Sequence, residues 1–578
     1  MTKKLRTARI CQRFIQSISL ALFLFLLYKA VGTSDAPWLP ADLFLRLDPI
    51  IATAIPLAAR SWIARLWPGL MVLAAALVFG RIFCGYLCPM GTTLDLTRFF
   101  VAKRGKSKKS TSAVSPVRKT LGQTARYLVL TVVLTAAVLG VNLAYWVSPI
   151  SLITRLYGLL IHPFLLLFGS VGLSSGQVVS DYVGISGLGY LHLQARQFDT
   201  LYFILGFFLV VCGLERVRPR FWCRYICPSG ALLGLFSWKP VWRRRVSRCM
   251  GCGSCVAACP VQAISENGIT SCPPACITCR TCVDRCPVNG VGFGFQNPPA
   301  IETESVENSE ASWSAPSDHP FNSPSDDTPI CLLPSRRSFL FSVAAGTALA
   351  SVHYVSAHSL LTPTDRGLLW SADLVRPPGA LPEPAFLTRC VRCGACMKAC
   401  PTNGLQPVWL AAGAEGIFSP VLMARKGPCE PACNACGTVC PTGAISPLPL
   451  EEKKWAKIGT AVVLQHRCLA WAEERRCMVC QETCPYGAVK VVSRPDVAVP
   501  VPVVNALRCY GCGYCEHHCP VRVPAIKVEP LNALRRQDGN YRKTAESMGL
   551  TLEPAAAESP EFESLPDDAL PPGFLPAE

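Results

Sequence analysis

Apolar residues crowd into four stretches early in the chain: Phe14 to Val31, Leu66 to Phe83, Tyr127 to Val147 and Thr200 to Leu214. Each is near the roughly 20 residues that carry a helix across a bilayer. A fifth, Leu152 to Leu173, is interrupted by Arg155, His162 and Pro163. Basic residues decide how many of the five cross. Lys3, Lys4, Arg6, Arg9 and Arg13 precede the first stretch. Lys103, Arg104, Lys106, Lys108, Lys109, Arg118 and Lys119 separate the second from the third. Arg216, Arg218, Arg220, Arg224 and then Arg243, Arg244 and Arg245 follow the fourth. Lys and Arg stay on the cytoplasmic side, and four spans put all three basic segments there. A fifth span would move the last segment outside, so Leu152 to Leu173 is expected to be interfacial or re-entrant.

The pattern changes after Arg243, where the chain becomes soluble in character as far as Phe295. Residues 296 to 334 are rich in Pro, Ser, Glu and Asp and poor in apolar side chains, the composition of a disordered linker. Ser335-Arg336-Arg337-Ser338-Phe339-Leu340 then opens an apolar run, a twin-arginine signature ahead of a helix. Cleavage near Val355-Ser356-Ala357 and retention as an anchor both remain open; either puts the later residues outside the cytoplasm. The expected domains are a four-span membrane part (1–240), a cytoplasmic two-cluster ferredoxin (241–295), the linker (296–334), the twin-arginine-type helix (335–358), an exported four-cluster ferredoxin (385–531) and a mostly disordered acidic tail (532–578). The fold class is a membrane α-helical bundle with two α+β ferredoxin-like domains.

Composition agrees with a membrane protein bearing soluble parts: 50% of the 578 residues are hydrophobic and 16% charged. The net charge of +18 sits beside apolar segments and serves membrane orientation; no nucleic-acid motif accompanies it. Cysteine is the outlier, with 32 residues.

Twenty-four of these form six quartets. Cys249, Cys252, Cys255 and Cys259 make the first; Cys276, Cys279, Cys282 and Cys286 the second; Cys390, Cys393, Cys396 and Cys400 the third; Cys509, Cys512, Cys515 and Cys519 the sixth. All four follow the C-x2-C-x2-C-x3-C-P run of bacterial ferredoxins. The fourth quartet, Cys429, Cys433, Cys436 and Cys440, is looser, and the fifth, Cys468, Cys477, Cys480 and Cys484, carries an insertion. Three close thiolates wrap one corner of a cubane, and the proline sends the fourth cysteine to the neighbouring cluster. Structural zinc does not explain a third cysteine at the same spacing, and disulfides show no such repeat. Six 4Fe-4S clusters are therefore expected. In the first half, Cys286 would join Cys249, Cys252 and Cys255, while Cys259 would join Cys276, Cys279 and Cys282.

Two further motifs, Cys84-Gly85-Tyr86-Leu87-Cys88-Pro89 and Cys223-Arg224-Tyr225-Ile226-Cys227-Pro228, follow apolar stretches. Both are C-x3-C-P, and both are placed at the cytoplasmic face by the four-span topology. Three roles stay open: a further metal or cluster, redox-active thiols, or buried structural cysteines. Trp222, Arg224 and Tyr225 are either interfacial anchors or the lining of a quinone site. Cys11, Cys212, Cys272 and Cys331 are read as structural or incidental. No C-x2-C-H and no G-x-G-x-x-G after a strand occur, which argues against attached c-type haem and a nucleotide-binding domain.

On these residues the chain resembles a fusion. Residues 1–295, with two C-x3-C-P motifs and a ferredoxin segment, look like the NapH type of membrane ferredoxin protein, whose motifs are related to those of NosR and CcoG. Residues 335–531 look like the NapG/MauM type of exported polyferredoxin, through Ser335-Arg336-Arg337, Cys390-Val391-Arg392-Cys393-Gly394-Ala395-Cys396, Cys468-Leu469-Ala470-Trp471 and Ala525-Ile526-Lys527-Val528. The resemblance implies quinol oxidation at the inner membrane and electron delivery to a periplasmic oxidoreductase. It also implies nested ligand sharing in the second half: Cys519 with Cys390, Cys393 and Cys396; Cys400 with Cys509, Cys512 and Cys515; Cys484 with Cys429, Cys433 and Cys436; Cys440 with Cys468, Cys477 and Cys480. An assembly or regulatory protein that supplies electrons for metalloenzyme maturation is the alternative. Whether the chain is itself an enzyme stays open between an electron-transfer subunit and a quinol dehydrogenase component.

Overall fold

A computed structural model describes residues 3–30, 39–101, 116–183, 196–295, 334–359, 374–409, 413–536 and 540–552. The Lys103 to Lys109 loop, linker residues 296–333 and the tail from 553 lie outside them.

The apolar stretches fold as helices, but not as four spans. Among the described residues two helices are long and apolar enough to cross a membrane, Ile10–Lys29 and Pro149–Val171. The first is an expected span. The second overlaps Leu152 to Leu173, the stretch expected to be interfacial or re-entrant; it has the length and composition of a span, and most of it is buried inside the structure. A π-helical turn, Leu156–Ile161, precedes the His162–Val183 helix, and a widened turn of this kind accommodates Pro163 within a continuous helix. The Arg155 guanidinium donates to the Tyr145 carbonyl and lies over the Phe418 ring, 5.2 Å from its centroid. Its charge is buried with partners, so it does not interrupt the helix.

The other three expected spans are cut short. Leu66 to Phe83 yields the Trp67–Phe79 helix, whose C-cap is Gly80 at φ 69°. Its 13 residues rise only about 20 Å against a hydrocarbon core of about 30 Å. Gly140, at φ 88°, ends the Pro116–Val138 helix before a separate turn, Ala144–Val147. The fourth stretch becomes Leu201–Val217, 17 residues that end with Glu215 and Arg216 in the last turn. A helix not anticipated from hydropathy, Pro49–Ala59, occupies the centre, with Ile50, Ile51 and Ile55 fully buried. The twin-arginine helix, Arg336–Ser359, runs through Val355-Ser356-Ala357 and lies against Pro116–Val138. A Cβ at Gly346 would sit 3.0 Å from the Val132 carbonyl oxygen, so glycine sets that close approach.

The remainder is three successive copies of one small unit. Strand β1 (Arg243–Val246) pairs antiparallel with β2 (Val291–Gly294), flanking quartets one and two. The next unit carries β3 (Leu405–Pro407) and β4 (Pro420–Leu422) as a hairpin between quartets three and four. Its flanks meet through an Ala380–Ile445 bridge, with Leu381 N–H donating to Ala444 at 3.1 Å and Ser446 N–H to Gly379 at 2.8 Å. In the last unit β5 (Thr460–Val463) pairs with β8 (Ile526–Glu529), outside quartets five and six, and β6 (Val489–Arg494) pairs with β7 (Val497–Val504) between them. Each unit therefore reads flank, quartet, inner turn or hairpin, quartet, flank. One continuous buried cluster joins Ile50 and Leu130 of the helices to Phe386, Ile445 and Ile526 of the later units.

Part of the expected tail is folded. Tyr541, Ala545, Leu550 and Leu552 bury against Leu448, Ala456 and Leu534, because the Tyr541–Ser547 helix sets Tyr541 and Ala545 one turn apart on one face.

Candidate iron–sulfur sites

In the first unit Cys249, Cys252, Cys255 and Cys286 line one cavity. Cys259 bears electrostatically on Cys276 and Cys282, and Cys279 stands with them. In the second unit Cys400 lines a cavity with Cys429, Cys433 and Cys436, and Cys440 bears on Cys390, Cys393 and Cys396. In the third unit Cys484 bears on Cys509, Cys512 and Cys515, and Cys519 joins Cys468 and Cys477 around Cys480. The nested sharing is thus corrected. Cys440, not Cys519, accompanies Cys390, Cys393 and Cys396; Cys519, not Cys440, accompanies Cys468, Cys477 and Cys480. Cys484 and Cys400 exchange places in the same way. Antiparallel flanks close each unit before the next begins, so each fourth cysteine reaches only the quartet beside it.

The donors suit iron. Burial first, and neighbouring thiolates after it, push Cys390 up to about 11 and Cys393 up to about 12. Such thiols become thiolates only beside a strong positive charge, which cluster iron supplies. Among the described residues no group of three or more His, Cys, Asp or Glu side chains is arranged to hold a single metal ion. The proline after each fourth cysteine turns the chain back upon its sulfur. Backbone N–H groups of Ala263, Ala488, Ala525 and Ile445 donate to Sγ of Cys259, Cys484, Cys519 and Cys440 at 3.3, 3.3, 3.4 and 3.5 Å. Hydrogen bonds to sulfur are one of the means by which a protein sets cluster potential. Between units two and three, Tyr486 and Tyr510 stack with centroids 5.1 Å apart, and Cys429 N–H donates to the Cys512 carbonyl at 2.7 Å.

The two C-x3-C-P motifs come together. Cys84, Cys88, Cys223 and Cys227 are all buried and bear on one another electrostatically. Both use the same backbone device, a five-residue-back bond from Cys88 N–H to Phe83 at 2.9 Å and from Cys227 N–H to Trp222 at 3.0 Å. Pro89 and Pro228 then begin new helices, the position where a missing donor costs least. The repeat extends beyond the cysteines. Arg81 and Arg220 stand three residues before the first cysteines, and Gly91 and Gly230 three after the second, giving R-x-x-C-x3-C-P-x-G twice. Aligning the copies would have revealed this. Trp222 and Arg224 are buried, and Arg224 donates to Gln262 of the first unit, so neither is an interfacial anchor. Of the unassigned cysteines, Cys272 is disulfide-bonded, and Cys331 lies outside the described residues.

Comparison with known families agrees with this geometry. Models described as 4Fe-4S binding domains match residues 62–107 and 200–248, 245–265 and 386–406, and 273–289. A 4Fe-4S dicluster domain matches 475–523, enclosing most of quartet five and all of quartet six. The methylamine utilization ferredoxin-type protein MauM of Methylorubrum extorquens is 34% identical over 201 residues, 34% of this chain and 90% of the relative. The ferredoxin-type protein NapG of Escherichia coli is 36% identical over 217 residues, 36% of this chain and 90% of the relative. The chain belongs to the MauM/NapG family of ferredoxin-type proteins. No solved structure matches it. As a MauM/NapG-type protein it is an iron–sulfur electron-transfer protein carrying multiple 4Fe-4S sites.

The second ferredoxin unit sits directly on the helices. Asn142 Nδ2 donates to the Cys390 carbonyl at 3.1 Å, Arg65 Nη1 to the Cys440 carbonyl at 2.9 Å, and Arg389 Nη2 to Ser61 Oγ at 3.0 Å. Arg392 lies 3.5 Å from the Tyr145 ring centroid. On the other side, the first unit meets Gly85: a Cβ there would come 2.2 Å from the Ile277 carbonyl oxygen.

Proposed function

We propose that this chain is a membrane-bound electron conduit with six 4Fe-4S clusters, passing electrons from quinol to an extracytoplasmic oxidoreductase. The ligand sets are Cys249, Cys252, Cys255 and Cys286; Cys276, Cys279, Cys282 and Cys259; Cys390, Cys393, Cys396 and Cys440; Cys429, Cys433, Cys436 and Cys400; Cys509, Cys512, Cys515 and Cys484; and Cys468, Cys477, Cys480 and Cys519. The helices would lie in the cytoplasmic membrane, with the first unit inside and the other two outside. In this reading a NapH-type helical part is joined to its MauM/NapG-type partner in one chain.

The observation that carries the reading is the docking of the Cys390 loop on Asn142 and Arg65. It places redox ligands against one side of the helical part while Ile277, beside Cys276, abuts Gly85 on another. Clusters supply reversible one-electron chemistry. Quinol gives up two electrons, taken one at a time by clusters, and two protons, which leave to water. A cleft beside Cys279 is lined by Gln12, Gln16, Asp95 and Arg220. Arg220 pairs with the Asp95 carboxylate there at 2.6 Å. Reduced quinol added to the full chain in membranes should bleach cluster absorbance. Intact clusters that do not bleach would exclude quinol as donor.

A further inference from the structure

The four C-x3-C-P cysteines are not used by the six ferredoxin sites, yet all four are buried among the helices. Two arginines frame them. Arg81 is 1% exposed and Arg220 2%. Arg81 Nη2 stands 3.9 Å from Cys84 Sγ, and its Nη1 donates to the Pro274 carbonyl at 3.2 Å. A Cβ at Gly230 would meet Arg81 Nη2 at 2.4 Å, and one at Gly91 would lie 3.6 Å from Arg220 Nη1. Each arginine thus packs on the glycine of the opposite copy, and both copies lack a side chain there. The hydrogen bonds of Arg81 go to carbonyls and sulfur, with no carboxylate among them. A buried guanidinium needs a compensating negative charge. Four thiolates around a cluster carry one.

We propose that Cys84, Cys88, Cys223 and Cys227 hold a seventh iron–sulfur cluster, a one-electron relay between the first ferredoxin unit and the second. Four thiolates suffice for a 4Fe-4S cubane. The two half-motifs supply two each, from segments that a 4Fe-4S family model matches separately. Gly230 N–H donates to Cys227 Sγ at 3.3 Å, the same support that the ferredoxin sulfurs receive.

The position closes a gap. Arg220 bears on both Cys223 and Cys279, so the site adjoins the first unit. Toward the second unit, the Pro49–Ala59 helix measures the distance. Its N-cap, Asp48, accepts from Ser229 Oγ at 2.6 Å and Ser148 Oγ at 2.7 Å; Ser229 is two residues past Cys227. Just past its other end, Ser61 receives Arg389, the residue before Cys390. Eleven residues rise about 16 Å. The electron entering the relay from the Cys276 site leaves to the Cys390 site, with no net chemistry at the relay. The relay role rests on the conduit reading; the cluster itself does not.

The test is iron and acid-labile sulfide per full-length chain, purified without oxygen, for the wild type and for Cys84→Ala/Cys227→Ala. The wild type should exceed the complement of six cubanes by four iron and four sulfide, and the variant should lose only that excess. Dithionite should still reduce its remaining six clusters. In membranes, quinol should then reduce the first unit and leave the others oxidised. Equal iron in both proteins, or loss of zinc in place of iron, overturns the proposal. If the double variant does not fold, the wild-type stoichiometry decides alone. Arg81→Gln adds a second reading: unchanged iron with one centre shifted to lower potential supports the charge pairing, and unshifted potentials overturn it. If quinol reduces no centre even in the wild type, the conduit reading fails while the iron count still decides the site.

Discussion

The ferredoxin units and the C-x3-C-P group are both built from cysteines ahead of proline, yet they are made in opposite ways. In a unit, three ligands come from one turn of chain and the fourth from the neighbouring quartet, closed in by paired flanks such as β5 and β8. In the helical part, two thiols come from Cys84 and Cys88 and two from Cys223 and Cys227, brought together by the packing of segments distant in sequence. A unit can assemble as soon as its own strands pair. The helical group exists only when distant segments have met. The first kind of site is local and repeated three times; the second depends on the whole helical part.

That contrast can be broken most sharply at a fourth ligand. Cys440→Ala should abolish the cluster of Cys390, Cys393 and Cys396 and leave that of Cys468, Cys477 and Cys480, whereas Cys519→Ala should do the reverse. Nested sharing predicts the opposite pair of losses, and electron paramagnetic resonance of the reduced proteins distinguishes them. Cys440→Ala should also cut quinol-driven reduction of the third unit beyond the roughly 10–100-fold that losing an outer-shell partner costs a metal site.

Gly85→Ala tests the tertiary site without touching a thiol. Its Cβ would lie 2.2 Å from backbone oxygen of Ile277, an overpacking that should cost about 1–3 kcal/mol and appear as a lowered unfolding temperature with earlier proteolysis of the first unit. Asn142→Ala removes the donor to the Cys390 carbonyl. An unsatisfied buried carbonyl costs about 1–3 kcal/mol, near the lower end if water enters, readable as faster hydrogen exchange at residues 388–396. Gly253→Ala is the local counterpart and the smallest effect. Nothing lies within 4 Å of its Cβ, but φ is 62°, so only left-handed strain of about 1 kcal/mol is expected, with the iron content unchanged.

Sequence by itself determined the twenty-four quartet cysteines and the soluble character of the segments holding them. Spacing of two or three residues is enforced by one turn of backbone, so it needs no tertiary knowledge. It also marked Cys84, Cys88, Cys223 and Cys227 as a set. Hydropathy overstated the spans, because Gly80 and Gly140 end helices inside apolar runs, and it read Arg155 as an interruption, because the Phe418 ring beneath its guanidinium is distant in sequence. Which fourth cysteine joins which quartet was decided only by the pairing of flanks, through backbone hydrogen bonds that carry no side-chain signature. The same holds for Arg81 and Arg220: their charge is visible in the sequence, but their burial beside sulfur is a product of packing.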